Sequence, residues 1–76
     1  MVKFNIRLTN ATSAKDFVHA VTNYPYDIDL TSGRYIVDAK SIMGIFSLDL
    51  SKPICVVAHT DDASDLIEEV KNFIVE

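Results

Sequence analysis

The sequence predicts an α+β fold in which one antiparallel sheet carries its helices on a single face. Three observations lead there. Apolar and polar residues alternate in four short segments, the pattern of strands with one wet and one dry side. Other segments repeat their apolar residues at helical spacing. The segments follow in the order β-α-β-β-α-β-α with no repeat, linker or low-complexity tract, so residues 1–76 read as one domain.

Phe4, Ile6 and Leu8 alternate with Asn5, Arg7 and Thr9 in the first strand. A polar loop, Thr9-Asn10-Ala11-Thr12, follows, and Ser13 with Asp16 three residues on reads as a helix start. Ala14, Phe17, Val18 and Val21 then fall on one helical face, which Asn23 and Pro25 close. Ile28 and Leu30 alternate with acids and Thr31 in a second strand. Ser32-Gly33 supplies a tight turn, and residues 34–38 return as a third strand. Ser41 caps a short helix over residues 42–48. After the Lys52-Pro53 turn, residues 54–59 form a fourth strand. Asp61 and Asp62 cap a last helix, with Ala63, Leu66, Ile67, Val70, Phe73 and Ile74 on one arc.

Charge and composition exclude several functions. Residues 1–40 carry a net charge of +1 and residues 41–76 one of −5, for −4 in all. An acidic chain without a Lys/Arg stripe or a tryptophan is a poor ligand for nucleic-acid phosphates or anionic membranes. The longest apolar run is far short of a membrane span of about 18 residues. The first five residues lack the apolar stretch of a signal peptide. A single cysteine, Cys55, allows no internal disulfide, which fits a cytoplasmic protein. His19 and His59, with Asp61, Asp62 and Asp65, match no metal-ligand spacing, so neither metal nor cofactor is expected. His19 sits on the polar side of the first helix, far from its start.

The middle helix is anomalous. At about 100° per residue, Ile42, Met43 and Phe46 lie on one arc and Ile45 and Leu48 on the other. A helix resting on one sheet buries only one of these sides. The other is an apolar patch in water beside Ser41, which marks a contact surface.

The run Lys40-Ser41-Ile42-Met43-Gly44-Ile45-Phe46-Ser47-Leu48 resembles the regulatory serine segment of HPr. HPr is the histidine-containing phosphocarrier family of the bacterial sugar phosphotransferase system, and the likeness is to its members in low-GC Gram-positive bacteria. The likeness spans nearly the whole chain, since the family has the same element order. It implies an open-faced sandwich with a four-stranded antiparallel sheet in the order 1-4-2-3 and three helices on one face. It also implies phosphorylation at Ser41 and docking through Lys40, Ile42, Met43 and Phe46. The partners implied are HPr kinase/phosphorylase and a catabolite-control transcription regulator.

One departure bears on function. The family carries its phosphoryl group on a histidine at the start of the first helix, within G-x-H-x-R-P. The corresponding residues 9–15 contain no His, Arg or Pro, which leaves Asn10, Thr12 and Ser13 as a degenerate phosphocarrier loop. An imidazole attacks phosphate at neutral pH and leaves again easily; an amide or plain hydroxyl does neither well. The expectation is therefore a non-enzymatic, regulatory HPr-like protein without the active-site histidine, similar in that respect to catabolite-repression HPr. Two alternatives stand beside it: a phosphocarrier with a non-standard acceptor, and an HPr-fold interaction module outside sugar transport.

Overall fold

Val2, Phe4 and Ile6 turn toward the interior from β1 (Val2–Ile6), while Lys3 and Asn5 face water. This alternation sets the register of the sheet, because a slip of one residue would turn every apolar side chain outward. In the computed structural model, which describes residues 1–75, β1 lies antiparallel to β4 (Ile54–Ala58), with Phe4 opposite Val56 and Ile6 opposite Ile54. On the far side of β4 comes β2 (Ile28–Ser32), with Leu30 opposite Val56, and then β3 (Tyr35–Asp38). These four strands stand in the expected order. Helices α1 (Ala11–Val21), α2 (Ile42–Phe46) and α3 (Ser64–Glu69) provide the second layer.

The sheet has five strands rather than four. The order is β3-β2-β4-β1-β5, where β5 (Ile74–Val75) pairs with the free edge of β1. The expected last helix therefore ends early. It stops at Glu69, a 3-10 turn spans Lys71–Phe73, and the chain runs into β5. The cause is local. Val70, Ile74 and Val75 are β-branched and disfavour helix, and the open edge of β1 offers hydrogen bonds that Phe73 enters first, accepting from Arg7 N–H at 2.8 Å. Asp61 does not cap α3. Asp62 instead folds an Asx turn, its Oδ1 accepting from Ser64 N–H at 2.9 Å and Ser64 Oγ–H at 2.5 Å.

Two other boundaries move. Helix α1 starts at Ala11, three residues before the expected position, because Asn10 and Ser13 form a reciprocal capping box there. The β2–β3 hairpin turns on Gly33-Arg34 rather than Ser32-Gly33, with Gly33 at φ +59° as the first residue of a two-residue loop demands.

The core lies between the layers. Ile6, Leu8, Phe17, Leu30, Ile45, Ile54, Val56 and Leu66 are all fully buried within it. Each side chain of this kind contributes roughly 1.5–3 kcal/mol through burial. Phe73 closes one end, meeting Phe17 edge-on with ring centroids 5.7 Å apart. Residues α2 needs for its seat come from β3. Gly44 lies so close to Val37 that a Cβ at position 44 would stand 3.2 Å from the Val37 Cβ.

Candidate functional site

The start of α1 is built from two side chains that satisfy each other. Asn10 Oδ1 accepts from Ser13 N–H at 2.8 Å, and Ser13 Oγ accepts from Asn10 N–H at 3.1 Å and Thr9 N–H at 3.0 Å. The Ser13 hydroxyl proton goes to the Asn10 carbonyl at 2.9 Å. This is a reciprocal capping box, which pairs backbone donors that a helix start leaves orphaned. Two of the three polar side chains of the segment, Asn10 and Ser13, are thus committed to the backbone. Thr12 stays exposed on the first turn.

Ser41 caps α2 as expected. Its backbone is extended, and its half-buried Oγ accepts from Gly44 N–H at 3.2 Å. The two sides of α2 then separate as the 100° spacing requires. Ile45 is fully buried and Leu48, just past the helix, nearly so, whereas Met43 is 78% exposed and Phe46 44%. Ile42 takes an intermediate place. It leans toward α1 and closes one wall of a groove of about 280 Å³ whose other wall is Lys15, Val18, His19, Thr22 and Asn23.

That groove was not legible in the sequence. Its signal was present in part, because Lys15, His19 and Thr22 stand at i, i+4 and i+7 and so form one stripe of α1. Nothing in the sequence alone puts that stripe beside Ile42. His19 is exposed, away from the helix start.

Lys40 departs from expectation. Its ammonium points away from the apolar patch and donates to the Tyr24 carbonyl at 2.6 Å and the Tyr26 carbonyl at 3.0 Å. The loop between α1 and β2 leaves these carbonyls without a backbone partner, and a charged donor supplies one. Tyr24 in turn donates its hydroxyl to the Asp65 carbonyl at 3.1 Å. Burial, and then the charges of Glu69 and Asp65, push the Tyr24 phenol above its ordinary pKa. Lys40 braces the start of α2 rather than its outer surface.

On the opposite, open face of the sheet His59 Nε2 stands 2.8 Å from Asp29 Oδ2. Among the described residues no three His, Cys, Asp or Glu side chains gather as metal ligands would.

An open-faced antiparallel sheet, covered on one side by three helices and carrying capped starts at α1 and α2, defines a small α+β sandwich domain. Its family follows from comparison. The family described as "PTS HPr component phosphorylation site" matches residues 8–76, and the chain belongs to this HPr family of the phosphotransferase system. Among solved structures it is similar to HPr-C-His from Thermoanaerobacter tengcongensis, with 29% identity, a TM-score of 0.79, and coverage of 95% of this chain and 89% of that one. It is also similar to the phosphocarrier protein HPr from Bacillus anthracis str. Ames, with 26% identity, a TM-score of 0.70, and coverage of 97% and 96%. No curated protein matches it.

Proposed function

We propose that this chain is a regulatory member of the HPr family, switched by phosphorylation of Ser41 and acting by docking to other proteins in the cytoplasm. In this reading it does not pass a phosphoryl group through histidine. The observation that carries it is the position of Ser41, whose Oγ opens α2 at the border of the exposed Met43 and Phe46. The resemblance of residues 40–48 to the family's regulatory segment supports the same assignment, as does the absence of histidine from residues 9–15.

The chemistry is simple. HPr kinase/phosphorylase, as the proposed partner, would move the γ-phosphoryl group of ATP to Ser41 Oγ. The O–P bond forms as the bond to the departing ADP breaks, and the hydroxyl proton is lost. The product carries about −1.5 to −2 added charges at neutral pH. Placed beside an apolar surface, that charge repels one partner and recruits another lined with Arg or Lys. A catabolite-control transcription regulator is the partner of the second kind. Docking would use Ile42, Met43 and Phe46, with the groove against Lys15 and His19 extending the surface.

The test is mass spectrometry after incubation with an HPr kinase/phosphorylase and ATP. One phosphate on Ser41 supports the switch. Phosphate elsewhere, or none beside an active control, overturns it. A parallel incubation with Enzyme I and phosphoenolpyruvate is expected to leave no acid-labile phosphate. Stoichiometric label there, on His19 for instance, would establish a carrier with a non-standard acceptor instead.

A further inference from the structure

Strand β3 lies at the end of the sheet, bonded to β2 on one side and, among the described residues, to no strand on the other. Because its hairpin closes through a two-residue loop, Ser32 and Tyr35 form a hydrogen-bonded pair. Direction then alternates along the strand. Tyr35 and Val37 point their backbone groups at β2, and Ile36 and the Asp38 N–H point theirs outward. An outer strand with free backbone groups is a template for another strand. The side chains here are equally open: Tyr35 is 65% exposed and Ile36 69%, and Arg34 and Asp38 are exposed too.

We infer that β3 pairs antiparallel with β3 of a second copy of this chain, about a twofold axis through Ile36. The segment Arg34-Tyr35-Ile36-Val37-Asp38 is complementary to its own reverse. Ile36 faces its own symmetry mate and exchanges two backbone hydrogen bonds with it. Tyr35 packs on the partner's Val37, an aromatic against a β-branched residue. Arg34 meets the partner's Asp38. Each is a favourable cross-strand pair.

Register is fixed by charge. The outward-facing backbone groups allow a twofold axis at residue 34, 36 or 38 through a hydrogen-bonded pair, or at 35 or 37 through a non-hydrogen-bonded one. An axis at 35 would leave Arg34 opposite Ile36, and one at 37 would set it against Lys40. Centring on 34 would set Arg34 against Arg34, and centring on 38 would set Asp38 against Asp38. Only Ile36 brings opposite charges together. The pairing also answers a like-charge contact within the chain, since Asp38 stands directly opposite Asp29 in the β2–β3 register. Asp29 has His59 at 2.8 Å. Asp38 has only the Lys40 backbone N–H, at 2.9 Å, and among the described residues Arg34 makes no ion pair. A second copy supplies each with the charge it lacks.

The experiment is sedimentation velocity of the full chain over a concentration series, with circular dichroism melts to check folding. A monomer–dimer equilibrium is expected. Ile36→Pro removes only an outward N–H and should abolish the dimer while leaving the hairpin paired. Arg34→Asp and Asp38→Arg should each weaken dimerisation about tenfold or more, through two symmetric like-charge contacts. The double exchange Arg34→Asp/Asp38→Arg should restore it to within a few-fold of the original. Should Ile36→Pro unfold, the charge exchange decides alone. A chain that stays monomeric to millimolar concentration overturns the inference, as does a dimer indifferent to these changes or a double variant no better than the single ones.

Discussion

Lys40 reaches back sixteen residues to Tyr24, its ammonium 2.6 Å from the Tyr24 carbonyl oxygen. The contact ties the start of α2 to the loop that follows α1, so the two helices flanking the groove share one brace. Lys40→Met keeps the aliphatic stem and removes the charge, leaving two carbonyls without their donor. Hydrogen bonds to charged groups contribute about 1.5–3 kcal/mol, and partial exposure puts this one at the lower end. Chemical unfolding should register the loss. An unchanged midpoint would mean water replaces the ammonium without cost.

Ser41→Ala removes the cap of α2 and should cost about 0.5–2 kcal/mol. Ser41→Asp keeps an oxygen for the Gly44 N–H and should hold most of that stability. It also adds one negative charge where the phosphate would sit. Thermal melts of both variants separate cap from switch, because a switch alone predicts no difference between them in stability.

Neighbouring residues on α2 should respond oppositely. Ile45 is fully buried, so Ile45→Ala should destabilise by about 2–5 kcal/mol. Phe46 is 44% exposed, and Phe46→Ala should fall well short of the roughly 3–5 kcal/mol of a core phenylalanine. Partner affinity should instead drop by about 1–3 kcal/mol, as when an interface anchor is truncated. A large fall in melting temperature with partner binding intact would place Phe46 in the core.

Acid should loosen the starts of two turns. The Ser64 hydroxyl, and then the Ser64 N–H, hold Asp62 below the ordinary carboxylate range, and Ser51 does the same for Asp49. A lowered folded-state pKa means that the stability these groups give is present above the unfolded value near 3.8. It is lost as pH falls through the folded-state values. Stability measured from pH 6 down to 2 should fall less steeply in Asp62→Asn than in the parent, and equal slopes would refute the Asx turn as a contributor.

Much of this arrangement could be read from the residues. Four strands came from period-two alternation, and the split of α2 into a buried Ile45 side and an exposed Met43 side came from its spacing. The misreadings share a physical cause. Residues 70–75 carry an apolar arc suited to a helix, and the edge of β1, far away in sequence, decides that they become strand. At Asn10 and Ser13 both side chains are good caps, and the contest was settled by their reciprocal bonds rather than by either alone. Lys40 looked like surface because the carbonyls it serves lie in another loop. Local pattern finds elements; tertiary partners set their ends.

The place of β1 between β4 and β5 bears on how the chain is made. Residues 2–6 leave the ribosome well before their partners, since both of their neighbours in the sheet come from residues 54–58 and 74–75. The β1 segment therefore waits, with its alternating apolar side chains unpaired, until almost all of the described chain has been translated. Pairings this distant in sequence pay their loop-closure entropy before any contact rewards it. Closure of the sheet is thus expected to come late, once residues 74–75 have been made, and any factor that shields Phe4 and Ile6 until then should raise the yield of native protein.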